Sequence, residues 1–175
     1  MELKKYHIIG FIFTVIIGSL LHFTYEFSNK NIVVGYFSAI NESTWEHLKL
    51  LITPIVVFSI IEYFIYGKEL DNFIIVKAFS ILLGMVTIVA SFYTYTGIIG
   101  NNYLVLDIGT FILGVFIAYY FSYKMLQTQL LYSEKYNYIG FLIIFIIVFL
   151  MIYFTVNPPR INLFLDPVTN SYGIQ

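Results

Sequence analysis

Long apolar stretches broken by short polar runs set the pattern of this chain. A membrane-spanning helix needs about 20 mostly apolar residues, and five stretches meet that need, at about 7 to 27, 46 to 66, 73 to 96, 104 to 123 and 138 to 156. The expected fold is therefore all-α, an integral membrane bundle of five transmembrane helices forming a single domain over 1 to 175. The first stretch follows Lys4 and Lys5 like a signal peptide, but no small-x-small cleavage site comes after it, so a retained span is expected.

Within the spans, small and polar positions recur at helical spacing. Gly10, Thr14, Gly18, His22 and Glu26 form one stripe on the first, and small residues of this kind let helix backbones approach closely. Ser80, Gly84, Thr87, Ser91 and Thr94 mark a seam on the third span, and Asp107, Thr110, Gly114, Ala118 and Ser122 mark one on the fourth. The short Gly-containing run 96 to 102 between these two predicts an antiparallel pair. The fifth span has no such stripe, which places it at the edge of the bundle, facing lipid.

The second span has a readable start. Ser43 and Glu46 match the Ser-x-x-Glu capping box, and Asn41 is itself a favoured cap. Pro54 cannot donate to the carbonyl four residues back, so a kink is expected there. Before this span, 28 to 31 is polar and 32 to 37 is apolar, as for a segment that dips into the interface. After the fifth span Pro158 and Pro159 stop the helix. The tail 157 to 175 is too apolar at 161 to 165 for a solvated coil, and is expected to fold back over the bundle.

Composition agrees with lipid as the solvent. Hydrophobic residues make up 59%, charged residues 11%, and the mean hydropathy is +0.85. A net charge of −1 without a Lys/Arg cluster excludes nucleic acid as a partner. The absence of cysteine excludes disulfides, thiolate metal sites and thiol nucleophiles. Cytoplasmic loops retain Lys and Arg. With the N-terminus inside, Lys4, Lys5, Lys68, Lys77, Lys124 and Lys135 are inner, and Lys30, Lys49 and Arg160 are outer, so six against three favours N-terminus in, C-terminus out.

That topology gathers the unusual polar residues on one face. His22, Glu26, Asn41, Glu42, Glu46, His47, Lys49, Asp107, Arg160 and Asp166 all fall at outer helix ends or in outer loops. Two imidazoles among carboxylates suit zinc, manganese or iron. Simpler roles compete: Glu46 completes a capping box, Glu42 complements the helix dipole, Asp107 caps the fourth span, and Lys49 and Arg160 pair with the acids. On the inner side His7, Glu62 and Lys77 are expected to snorkel to the interface. No Walker A loop, dinucleotide fingerprint, Gly-x-Ser-x-Gly elbow or His-Glu-x-x-His helix occurs. Ser43 and His47 share a helix face, but no oxyanion hole accompanies them.

Three blocks together, His22-Phe-Thr-Tyr-Glu26-Phe-Ser, Asn41-Glu-Ser-Thr-Trp-Glu-His-Leu-Lys49 and the tail Asn157-Pro-Pro…Leu163-Phe-Leu-Asp166-Pro…Tyr172-Gly173, resemble an uncharacterised family of small bacterial multi-pass membrane proteins. The resemblance implies a fold and a bacterial cytoplasmic membrane location, and no catalytic role. The expectation is an outward-facing pocket with a divalent metal such as zinc held by His22, His47 and Asp107. Glu26 or Glu46 is the general base, and Glu42, Ser43, Lys49 and Arg160 are binding residues. It describes a membrane-embedded hydrolase or transferase acting on a lipid or envelope-linked substrate. A cation- or proton-binding transporter and a non-catalytic membrane subunit that docks a partner are the alternatives.

Overall fold

A computed structural model describes residues 2–174. Among them are six α-helices: α1 (Leu3–Phe27), α2 (Ile32–Gly35), α3 (Thr44–Ile65), α4 (Phe73–Ile99), α5 (Leu104–Met125) and α6 (Glu134–Val156). All but the single-turn α2 are long and apolar enough to cross a membrane. Around the α3–α4 pair, α1 packs on α3, and α5 and α6 pack on α4. The apolar windows of α3 and α4 are 56% and 50% buried, against 22–28% for the others, which makes these two the centre of the bundle. The outer helices turn large apolar side chains outward, such as Phe141, Phe145 and Phe149 of α6, a surface that only a lipid solvent leaves unpenalised.

Small residues set the close approaches. A methyl group on Gly84 of α4 would meet the Gly114 carbonyl of α5 at 3.1 Å, and one on Gly114 would meet the Gly84 carbonyl at 3.0 Å, so these helices pack backbone to backbone. Gly140 of α6 sits in the same way on the main chain of Ile75, and next to it Asn137 Oδ1 accepts from the Ile74 and Ile75 amides, 3.0 and 3.3 Å away, capping α4 from outside. On α1 the stripe faces inward as its spacing predicts: Gly10 lies against the Phe58 and Tyr119 rings, Thr14 bonds Tyr119 and Gly18 meets the backbone of α3. The α4 stripe holds only as far as Gly84. Beyond it Ile88 takes the buried position and Thr94 is exposed.

The helices run past the ends expected from apolarity. Thr96 Oγ1 donates to the Phe92 carbonyl and stays helical, so α4 stops at Gly100, whose φ of 85° is the left-handed conformation that ends helices. In the segment before α3, Asn31 accepts from the Val33 amide and starts α2. A larger correction concerns His7, Glu62 and Lys77. None of them snorkels; they are 4%, 0% and 1% exposed, because α1, α3, α4 and α5 rotate them toward one another. The tail folds back over the end where α3 begins, with Phe164 buried against Trp45 and Phe154. It continues into a two-residue hairpin, β1 (Leu165–Asp166) and β2 (Ser171–Tyr172).

Candidate polar site at the capped end of the third helix

The start of α3 is fixed by hydrogen bonds that its sequence encodes. Ser43 is the cap, and its Oγ accepts from the Glu46 amide at 3.4 Å. The reciprocal half of a capping box is missing, since the Ser43 amide donates to Asn41 Oδ1 at 3.0 Å. Glu46 reaches further instead. Its Oε2 accepts from the Ile40 amide at 3.1 Å and from Lys49 Nζ at 2.5 Å. Lys49 is fully buried, and its three donors find three oxygens: Glu46 Oε2, the Gly35 carbonyl at 2.8 Å and Thr155 Oγ1 at 2.7 Å. A buried cation is tolerated on this condition. Glu46 and Lys49 therefore pin the α2 loop and the end of α6 onto α3.

On the other side of the same turn three ligand-type residues converge. His22 of α1 and His47 of α3 have ring centroids 5.1 Å apart. Glu42 lies between them, with Oε1 3.7 Å from His22 Nε2 and Oε2 3.5 Å from His47 Nε2. One ligand atom from each lies within 4.8 Å of the others. The tautomer of His47 follows from its partner: Nδ1–H donates to the Ser43 carbonyl at 2.9 Å, which leaves the Nε2 lone pair facing Glu42. The Nδ1 of His22 is buried and has no hydrogen-bond partner among the described residues. Two imidazoles and one carboxylate are a donor set for zinc, manganese or iron, and they leave coordination positions open.

Glu42 also borders a cleft of about 230 Å³ roofed by the tail, with Tyr25, Glu26, Lys30, Asn41 and Thr169 among its walls. Asn41 Nδ2 donates to the Gly173 carbonyl at 3.3 Å and ties roof to wall. Glu26 is exposed, 3.8 Å from Lys30.

A family model described as a family of unknown function, DUF6512, matches residues 1–174. The chain belongs to the DUF6512 family. No curated protein and no solved structure matches it.

The DUF6512 fold thus brings His22, Glu42, His47 and Glu26 to one end of the bundle and engages Ser43, Glu46 and Lys49 beside them. Two of the residues expected here are elsewhere. Asp107 is at the same end but turned toward α4, where its carboxylate accepts from the Tyr95 hydroxyl and from Asn102 Nδ2. It holds the α4–α5 turn and does not join the histidines. Arg160 is exposed and has no ion pair among the described residues. Glu42 takes the place expected of Asp107. It precedes the helix, where i+4 spacing has no meaning, so its pairing with both histidines had no periodic signal.

Proposed function

We propose that this DUF6512 chain is a single-domain, multi-pass protein of the bacterial cytoplasmic membrane. Its N-terminus is inside, and on the outer face it binds a divalent metal such as zinc through His22, Glu42 and His47. The observation that carries the reading is the convergence of those three ligand atoms within 4.8 Å, with the His47 tautomer set by the Ser43 carbonyl. A metal held by these three residues would supply Lewis acidity and would activate water at neutral pH.

The chain's own residues suggest hydrolysis or transfer at a lipid headgroup. Phe23, Phe27, Val33 and Phe37 on α1 and around α2 are 41–81% exposed, an apolar shoulder beside a polar cleft. Acyl chains fit the shoulder and a headgroup fits the cleft, where Lys30 offers a cation to phosphate. Glu26, exposed and 3.8 Å from Lys30, is the carboxylate proposed as general base, because Glu46 is committed to Lys49 and the Ile40 amide.

The test is elemental analysis of the protein purified and reconstituted with zinc, manganese or iron. Near-stoichiometric metal in the wild type, lost in His22→Ala, His47→Ala and Glu42→Gln but retained in Asp107→Asn, supports the site. Equal metal in all five proteins, or none in any, ends it.

A further inference from the structure

The bundle buries two lysine–glutamate pairs, and they are built differently. Lys49 meets three oxygens. Among the described residues Lys77 of α4 meets one, Glu62 Oε2 of α3 at 2.5 Å, although both residues are at most 1% exposed. Around the rest of the Lys77 nitrogen stand the rings of Phe73 and Tyr119, at 5.3 and 5.6 Å, and a small void that Lys77 lines with Ser80, Tyr119 and Ser122. A neutral amine keeps two N–H donors, so losing a proton would leave one of the three Lys49 acceptors unmatched, whereas Lys77 would still have a donor for its single acceptor. The interior of a membrane makes every unmatched charged donor expensive, and the Lys77 ammonium carries two of them where Lys49 carries none.

The other titratable groups facing the pair come from three helices. Tyr66, just past the end of α3, donates to Glu62 Oε1 at 2.5 Å, and Tyr6 packs against its ring. Tyr119 of α5 hydrogen bonds Thr14. His7 of α1 stands edge-on to Tyr119 and Tyr123, and its Nδ1–H donates to the Leu3 carbonyl at 2.8 Å. That bond turns its basic Nε2 inward, 3.0 Å from Ser122 Oγ. Ser122 is thus hydrogen bonded to His7 on one side and lines the Lys77 void on the other.

We propose that Glu62 and Lys77 form a proton-binding site inside the membrane that exchanges with the face where α1 begins, by way of Ser122 and His7. In release, the Lys77 side chain swings from Glu62 across the void to Ser122, and its Nζ–H passes to Ser122 Oγ as the Ser122 hydroxyl proton passes to His7 Nε2. The products are a neutral amine, an intact hydroxyl and an imidazolium, which gives up its Nδ1 proton to water at the first turn of α1. Uptake is the reverse, and Tyr66 keeps its bond to the Glu62 carboxylate throughout. The site is separate from the His22–Glu42–His47 group and does not depend on it.

The experiment uses the full chain in phosphatidylcholine nanodiscs with lysine labelled at ¹⁵Nζ. Lys77→Met identifies the Lys77 signal. Should that variant not fold, Lys49→Arg together with single replacements of the exposed lysines identifies it by elimination. From about pH 5 to about pH 11, which brackets the ordinary histidine and lysine range, Lys77 is expected to convert between ammonium and amine with helicity unchanged, while Lys49 stays an ammonium. His7→Phe and Ser122→Ala should leave both end states intact and slow their exchange roughly 100-fold, the ordinary worth of a positioned proton-transfer group. A Lys77 that stays an ammonium alongside Lys49, or converts only as helicity is lost, overturns the proposal. Exchange as fast in both variants as in the wild type does the same.

Discussion

Gly18 of α1 lies against the main-chain carbonyl of Leu50, the carbonyl that Pro54 leaves without its helical donor. The two features belong together. Without a side chain on Gly18, α1 packs over the point where the α3 hydrogen-bond ladder is interrupted, and that packing sets how far His22, one turn further on, reaches toward His47.

Gly18→Val is therefore expected to force α1 off α3, because its Cβ would overlap the Leu50 carbonyl, which as backbone cannot move aside. The cost should be about 1–3 kcal/mol, typical of overpacking, read from denaturant titration in micelles. Gly97→Ala is the control. Nothing lies within 4 Å of that position, and alanine in a helix there should be neutral or stabilising by about 0.4–1 kcal/mol. Equal losses in the two variants would refute this account of the α1–α3 contact.

How much of this was legible beforehand differs from residue to residue. The five spans, the inward stripe from Gly10 to Gly18 and the cap at Ser43 follow from periodicity and local hydrogen bonding, which a sequence carries directly. Rotation of one helix against another is not local. Asp107 sits at the expected end, yet α5 turns it to Tyr95, and no spacing within α5 reports that. The burial of His7, Glu62 and Lys77 depends on four helices meeting at once, so each alone read as a side chain able to reach the interface. Lys49 shows the same limit, since its partners are 14 and 106 residues away as well as one turn back.

Lys49→Met should destabilise the protein by about 3–5 kcal/mol, because it leaves Glu46 as an uncompensated buried charge. Adding Glu46→Gln should return part of that loss, since the remaining group is neutral. A double-mutant cycle on thermal or denaturant unfolding measures the coupling. If the two substitutions add independently, the pair is not the pin described above.

Tyr95→Phe and Asp107→Asn address the α4–α5 turn. The first removes the donor, and the second the charge of the acceptor, in the hydrogen bond that ties the end of α4 to the first turn of α5. A hydrogen bond to a charged group contributes about 1.5–3 kcal/mol, but a turn at the end of the bundle unfolds locally before the whole. The expected signature is faster amide exchange over residues 95 to 107, with little change in global unfolding. Protection unaltered in both variants would show that the turn is held by packing alone.

The tail offers a test with a built-in reporter. Trp45 is the only tryptophan of the chain, and its ring lies 4.9 Å from Phe164 and 5.4 Å from Phe154, centroid to centroid. Phe164 is 5% exposed, so Phe164→Ala removes most of the apolar contact that holds the roof down, a change that costs about 3–5 kcal/mol in a packed core. The roof is joined to the bundle there and at the Asn41–Gly173 hydrogen bond, so the loss should free the tail and leave the helices intact. Trp45 emission should shift to the red as water reaches the indole, and a protease should cut between residues 160 and 170 while far-ultraviolet ellipticity holds steady. Asn41→Ala, which removes only the second tie, should give a smaller shift of the same sign. An unshifted Trp45 spectrum in Phe164→Ala would mean that the tail is held by contacts other than this aromatic cluster, and the cleft it roofs over Glu42 would need a different explanation.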